Sequence, residues 1–120
     1  MTIKFLDGSA FVKLFLQEPA SNVLRRDLRH AGDSSKAIST IARVEARSAL
    51  QRRYRNREIS LSALQTAIID LNAARARWVR VSPEEAVIEA TFEIIARHAL
   101  KSLDALQLAS AISLRDEVAP

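Results

Sequence analysis

Three carboxylates stand where this chain could do chemistry with them: Asp7, Glu45 and Asp104. Asp7 closes a short apolar run, Ile3, Phe5 and Leu6 with Lys4 between, and opens an Asp-Gly-Ser turn. A run of that length bounded by turn residues reads as a buried strand, and Phe11, Val12, Leu14, Phe15 and Leu16 have the spacing of a helix face. In an open parallel sheet, ligands bind beyond the carboxyl ends of the strands, where loops and helix N-termini converge. Asp7 would stand at the lip of that crevice. The simpler role open to Asp7 or Ser9 is to cap the helix that follows. Asp104 falls in the first turn of the last helix, with Leu100 and Leu108 one turn to either side. A carboxylate in such surroundings is costly unless it is paired, hydrogen-bonded or coordinated to a metal, although a helix N-terminus offsets part of that cost. Glu45 has Ile41 and Ala42 one turn before it and Ser48 and Ala49 one turn after, a face of small and apolar groups. With no cysteine and two isolated histidines, His30 and His98, there is no thiolate site and no zinc spacing. Any metal would be held by oxygen.

The elements that must position these acids follow from hydrophobic periodicity. Glu18-Pro19 breaks the first helix, and Val23, Leu24 and Leu28 mark a second that ends near Ala31-Gly32. Ala37 to Ile41 reads as a strand, Ile41 to Tyr54 as a long helix, and Ser60 as the cap of a helix striped by Leu61, Leu64, Ala67, Ile68 and Leu71. Trp78 to Val81 alternates as a strand does. Ser82-Pro83-Glu84-Glu85 then has the form of a helix start, with serine as cap, proline in the first turn and Glu85 completing a capping box. Ser102 can cap the last helix, which is apolar almost all round and reads as a helix buried in the middle of the domain. Strands alternating with helices over short connections predict a parallel sheet with helices on both faces.

At 120 residues the chain is expected to form one domain. Its hydrophobic content, 48%, is that of an ordinary globular protein, and no apolar run approaches the length of a membrane span. With no charged-then-apolar leader either, a cytoplasmic location is the expectation. The balance of 18 Lys+Arg against 14 Asp+Glu gives +4, which suits a polyanionic partner. The excess is local, with Arg43, Arg47, Arg52, Arg53, Arg55 and Arg57 in one segment and Arg75, Arg77 and Arg80 in another. Such runs serve either as solvated helix surface or as phosphate contacts.

The stretches FLDGSAFVKLF, ARVEARSAL and HALKSLDALQLASAI, in this order and spacing, resemble the PIN-domain nucleases, and most closely the VapC-type toxins of bacterial toxin–antitoxin pairs. The resemblance covers the chain from end to end. It implies an α/β, PIN-like three-layer sandwich, a short parallel sheet with helices on both faces. It also implies that Asp7, Glu45 and Asp104 hold Mg²⁺ or Mn²⁺ in one pocket, with Ser9 supporting the first acid. Hard divalent cations take oxygen ligands, so such a set is chemically coherent. The implied activity is metal-dependent hydrolysis of RNA, with Arg47, Arg52 and Arg53 guiding the strand. The implied partners are RNA, a cognate VapB-like antitoxin and a second copy in a homodimer, with no membrane. Two departures accompany the likeness. Gly8 replaces the family's common Thr, Ala or Ser, a change expected to be tolerated. Family members also continue into a further strand whose Thr/Ser-x-Asp turn supplies a fourth acid, whereas this sequence reaches Pro120 before it and Asp116 comes too early. Residues 1–120 are therefore expected to form a single PIN domain that is C-terminally incomplete, either a shortened form or one with an impaired metal site. The competing expectation is a PIN-like module that binds RNA or antitoxin without cleavage. A basic helical adaptor would instead require the three acids to lie apart.

Overall fold

The computed structural model describes residues 2–29, 31–32 and 35–118; His30, which the sequence offered as an isolated histidine, lies outside them. The order of elements is β1 (Lys4–Leu6), α1 (Gly8–Val12), α2 (Ser21–Leu28), β2 (Lys36–Ser39), α3 (Thr40–Arg55), α4 (Leu61–Arg77), β3 (Val79–Val81), α5 (Glu85–Arg97) and α6 (Ser102–Val118). The strands form one parallel sheet in the order β1-β2-β3, with Leu6 opposite Ile38 and Ile38 opposite Arg80. Successive parallel strands laid side by side with right-handed crossovers put both crossover segments on the same face. The core agrees. Leu6 and Ile38 join Phe11, Val12, Leu28, Ala42, Ala46, Leu50, Leu64, Leu71 and Trp78, drawn from both crossovers, in the larger apolar cluster. Phe11 is its hub, fully buried and edge-on to Phe15 and Trp78 with ring centroids at 5.0 and 5.3 Å. On the other face α6 packs on β2 and β3, and a second cluster joins Val87 of α5 to Leu106 and Ala109 of α6. The result is the three-layer α/β arrangement expected from the sequence.

Several local expectations are corrected. β2 ends at Ser39 and α3 begins at Thr40, because Ser39 caps α3 by accepting from Ala42 N. Ser82 does not cap α5. The helix opens two residues later with Glu84 in the N-cap position and no side-chain cap bond. Ser102 is the first residue of α6 rather than the residue before it. Nor is α6 buried all round: Ala105, Leu106, Gln107, Ala109, Ser110 and Leu114 are covered, while Leu103, Leu108 and Val118 are exposed. At the break after α1, Glu18 to Ser21 forms a type II turn, with Ser21 N bonded to Glu18 O at 3.0 Å and Ala20 left-handed at φ 71°.

Candidate active site

Parallel pairing of β1 with β2 sends both chains out of the same sheet edge, and each exits through a capping residue. Asp7 leaves β1 and caps α1, its Oδ1 accepting from Ala10 N at 2.8 Å and from Ser9 Oγ at 3.0 Å. Ser39 leaves β2 and caps α3, which carries Glu45 in its second turn. Asp104 approaches the same edge from the first turn of α6. Asp7 and Asp104, from opposite ends of the chain, line one open cavity of about 470 Å³ together with Phe5, Leu6, Ala10, Leu100, Gln107, Leu108 and Ala111. Both are exposed to solvent. The desolvation cost that the sequence suggested for Asp104 is therefore absent, because α6 turns this residue to the cavity rim.

Capping and cavity lining turn out to be compatible roles for Asp7. Both its bonds fall on Oδ1, which leaves Oδ2 without a hydrogen bond or ion pair among the described residues, and the Asp104 carboxylate is likewise unpaired there. Glu45 does not line the cavity. It stands behind Gln107, whose Nε2 donates to Glu45 Oε1 at 2.6 Å and whose Oε1 accepts from Ser39 Oγ at 2.7 Å. The expected meeting of three carboxylates on one cation is not formed: among the described residues no group of three or more Asp, Glu, His or Cys side chains lies close enough to hold an ion. Asp7 and Asp104 line the cavity with Gln107, and the third acid, Glu45, is bonded to the Gln107 amide. A donor set of carboxylates without nitrogen or sulfur fits a hard cation that retains several waters.

Three residues that shape the site were missed or misjudged in the sequence. Gln107 is polar on the buried stripe of α6, one turn beyond Asp104, and that placement was the available signal. Ser39 carried the ordinary signal of a helix cap at a strand end. Gly8 does more than tolerate its turn. It is buried where α1 meets α3, and a Cβ added to it would overlap the Glu45 Cβ and lie 2.9 Å from Glu45 Oε1. Gly8 thus permits the close approach that sets where Glu45 sits.

The arginines divide. Arg53 is held by Glu58 at 2.6 Å and Glu18 at 3.1 Å, and Glu18 also pairs with Lys13 at 3.2 Å. Its guanidinium thus ties the end of α3 to the α1–α2 turn, its charge set against two carboxylates. The same pair closes the end of α3, where Arg57 is left-handed at φ 60° and Glu58 N reaches back to Arg53 O. Arg47 and Arg52 are exposed and make no ion pair among the described residues.

A parallel α/β sheet with carboxylates gathered at its carboxyl edge defines a recognisable class. Residues 4–119 match the PIN domain model, and the chain belongs to the PIN domain family. Within it the chain is of the VapC type: it is 35% identical over 119 residues to Ribonuclease VapC45 of Mycobacterium tuberculosis (strain CDC 1551 / Oshkosh) and, to the same degree, to Ribonuclease VapC49 of Mycobacterium tuberculosis (strain ATCC 25618 / H37Rv). Each match covers 97% of this chain and 79% of the relative. Among the described residues no helix is long and apolar enough to cross a membrane.

Proposed function

We propose that this protein is a metal-dependent endoribonuclease, the cytoplasmic toxin of a toxin–antitoxin pair, acting on RNA at the cavity between β1 and α6. The observation that carries the reading is the pairing of Asp7 with Asp104 in one open cavity at the carboxyl edge of the sheet; the two curated relatives named ribonucleases support it. Asp7 and Asp104 would hold Mg²⁺ or Mn²⁺, with Glu45 placing a further negative charge behind Gln107. A cation held there supplies a water of lowered pKa and offsets charge on the scissile phosphate. Ser9 holds Asp7 Oδ1, which leaves the other oxygen without a hydrogen bond among the described residues. In the reaction, water adds to phosphorus, the bond from phosphorus to the leaving oxygen breaks, and the water's proton passes to that oxygen. Arg52 lies two turns beyond Glu45 on the same side of α3, about 10 Å along the axis, where it can hold a neighbouring phosphate of a single strand. A VapB-like antitoxin and a second copy of the chain are the proposed protein partners.

The second reading, a module that binds RNA or antitoxin without cutting it, is favoured by the lack of a three-carboxylate group. Cleavage of RNA by the parent chain, Asp7→Asn and Asp104→Ala, in chelator and in Mg²⁺, separates the two. The nuclease reading expects cleavage by the parent in Mg²⁺ alone and a loss of at least about 100-fold in either variant, in the range typical of removed catalytic groups. Melting adds an independent readout. Mg²⁺ should raise the parent's melting temperature and leave that of Asp104→Ala unmoved, because a ligand that binds the folded state stabilises it by mass action. Equal cleavage with and without metal, or by both variants, refutes the reading.

A further inference from the structure

We propose that Gln107 is a positioning residue of this site, acting on the reaction through Glu45. The inference rests on the nuclease reading and deepens it. Gln107 is buried, 6% exposed, and is one of two polar residues on the covered side of α6; the other, Ser110, bonds back to Leu106 O of its own helix, whereas Gln107 reaches across to other elements. Its amide joins two residues far away in the chain, Ser39 at the end of β2 and Glu45 on α3, and it lines the same cavity as Asp7 and Asp104.

The direction of this relay is set by chemistry. The Ser39 hydroxyl already accepts from Ala42 N at 3.1 Å, so its single proton is free for the Gln107 oxygen. A carboxylate can only accept, so the Gln107 nitrogen must face Glu45. Turning the amide over would set its oxygen against a carboxylate oxygen at the 2.6 Å of the present bond. The cap of α3 therefore orients the amide, and the amide orients the acid. Gly8 completes the clamp, since its missing Cβ is what lets α1 close on Glu45 from the other side. Two bonds would satisfy a buried amide in a purely structural role as well, so the role is decided by which group the nitrogen holds, a carboxylate. The pair of bonds fixes that carboxylate beside the cavity, the kind of outer support whose loss typically costs 10- to 100-fold in activity.

The test compares the parent chain with Gln107→Leu, similar in size and unable to hydrogen-bond, and with Gln107→Glu, which sets a second carboxylate against Glu45. Both are assayed for RNA cleavage well below their melting temperatures. Gln107→Leu is expected to stay folded by circular dichroism, to lose about 10- to 100-fold in kcat and to keep KM for RNA within about twofold. Gln107→Glu is expected to lose at least as much. A kcat within about twofold of the parent in folded Gln107→Leu overturns the proposal, as does a change confined to KM, which would make Gln107 a substrate contact. Glu45→Gln separates this failure from failure of the nuclease reading: if it cleaves as well as the parent, Glu45 has no part in the reaction and the proposal for Gln107 falls, while the nuclease reading, which stands on Asp7 and Asp104, does not. Nuclear magnetic resonance decides the structural half even for a chain that does not cleave. The Gln107 side-chain amide should show one proton moved downfield by its short bond to a carboxylate, and that shift should vanish in Glu45→Ala. An amide signal unaffected by Glu45→Ala also overturns the proposal.

Discussion

Replacing Gly8 with alanine tests the contact on which the site geometry depends. Gly8 is the first residue of α1 and its φ is not left-handed, so backbone freedom alone does not require glycine there. In an open helix the change to alanine would gain roughly 0.5–1 kcal/mol. Here the new methyl would overlap the Glu45 Cβ, an atom bonded to the α3 backbone that cannot swing aside as a side-chain tip could. Overpacking of this kind costs typically 1–3 kcal/mol, so the balance is a destabilisation of about 0.5–2 kcal/mol. For a domain of this size that is a fall in melting temperature of roughly 2–8 °C. Gly32→Ala is the control, because nothing lies within 4 Å of its would-be Cβ, and it should stay within about 0.5 kcal/mol of the parent. Thermal melts of the three proteins decide the matter. RNA cleavage should fall further in Gly8→Ala than the lost stability explains, since the displaced group is Glu45. A Gly8→Ala chain that melts at or above the parent temperature refutes the close approach of α1 and α3.

Other consequences are open to the same instruments. Ser39→Ala removes the cap of α3, about 1 kcal/mol, and strands the buried Gln107 oxygen, a further 1–3 kcal/mol or so; a loss of about 2–4 kcal/mol in denaturant melts is expected, and a loss below about 1 would show that the relay is not formed. Arg53→Ala should lower stability by about 1 kcal/mol, the scale of a partly buried pair network, and leave the salt dependence of RNA binding unchanged. Arg52→Ala should do the reverse, holding the melt and flattening the salt slope by about one unit in a binding titration. Ala20→Gly should raise stability by about 0.5–1 kcal/mol, because the turn holds a non-glycine residue in the left-handed region, and a drop on calorimetry would contradict that turn.

The sequence by itself determined the order of strands and helices, the parallel sheet and the class of site, because each rests on short-range patterns. An apolar triplet stopped by Asp-Gly-Ser can be read without knowing what lies beside it, and the family motifs around Asp7, Glu45 and Asp104 could be recognised piece by piece. Tertiary structure alone decided which groups share the cavity. Asp104 looked like a costly buried acid because its sequence neighbours are leucines, yet the tilt of α6 on the sheet leaves Leu103, Asp104 and Leu108 exposed while Gln107 turns inward. Arg53 and Arg52 are equivalent as letters; Arg53 pairs with Glu58 just past its own helix, and only the return of the α1–α2 turn to α3 adds Glu18 as a second carboxylate partner. Gly8 read as a permissive turn residue, and its steric demand arises because α1 closes on α3, 37 positions away at Glu45 (45 − 8). Periodicity reports which face of an element is apolar. Which atoms meet across the faces depends on how the elements are laid together, and here that packing sets Glu45 behind Gln107.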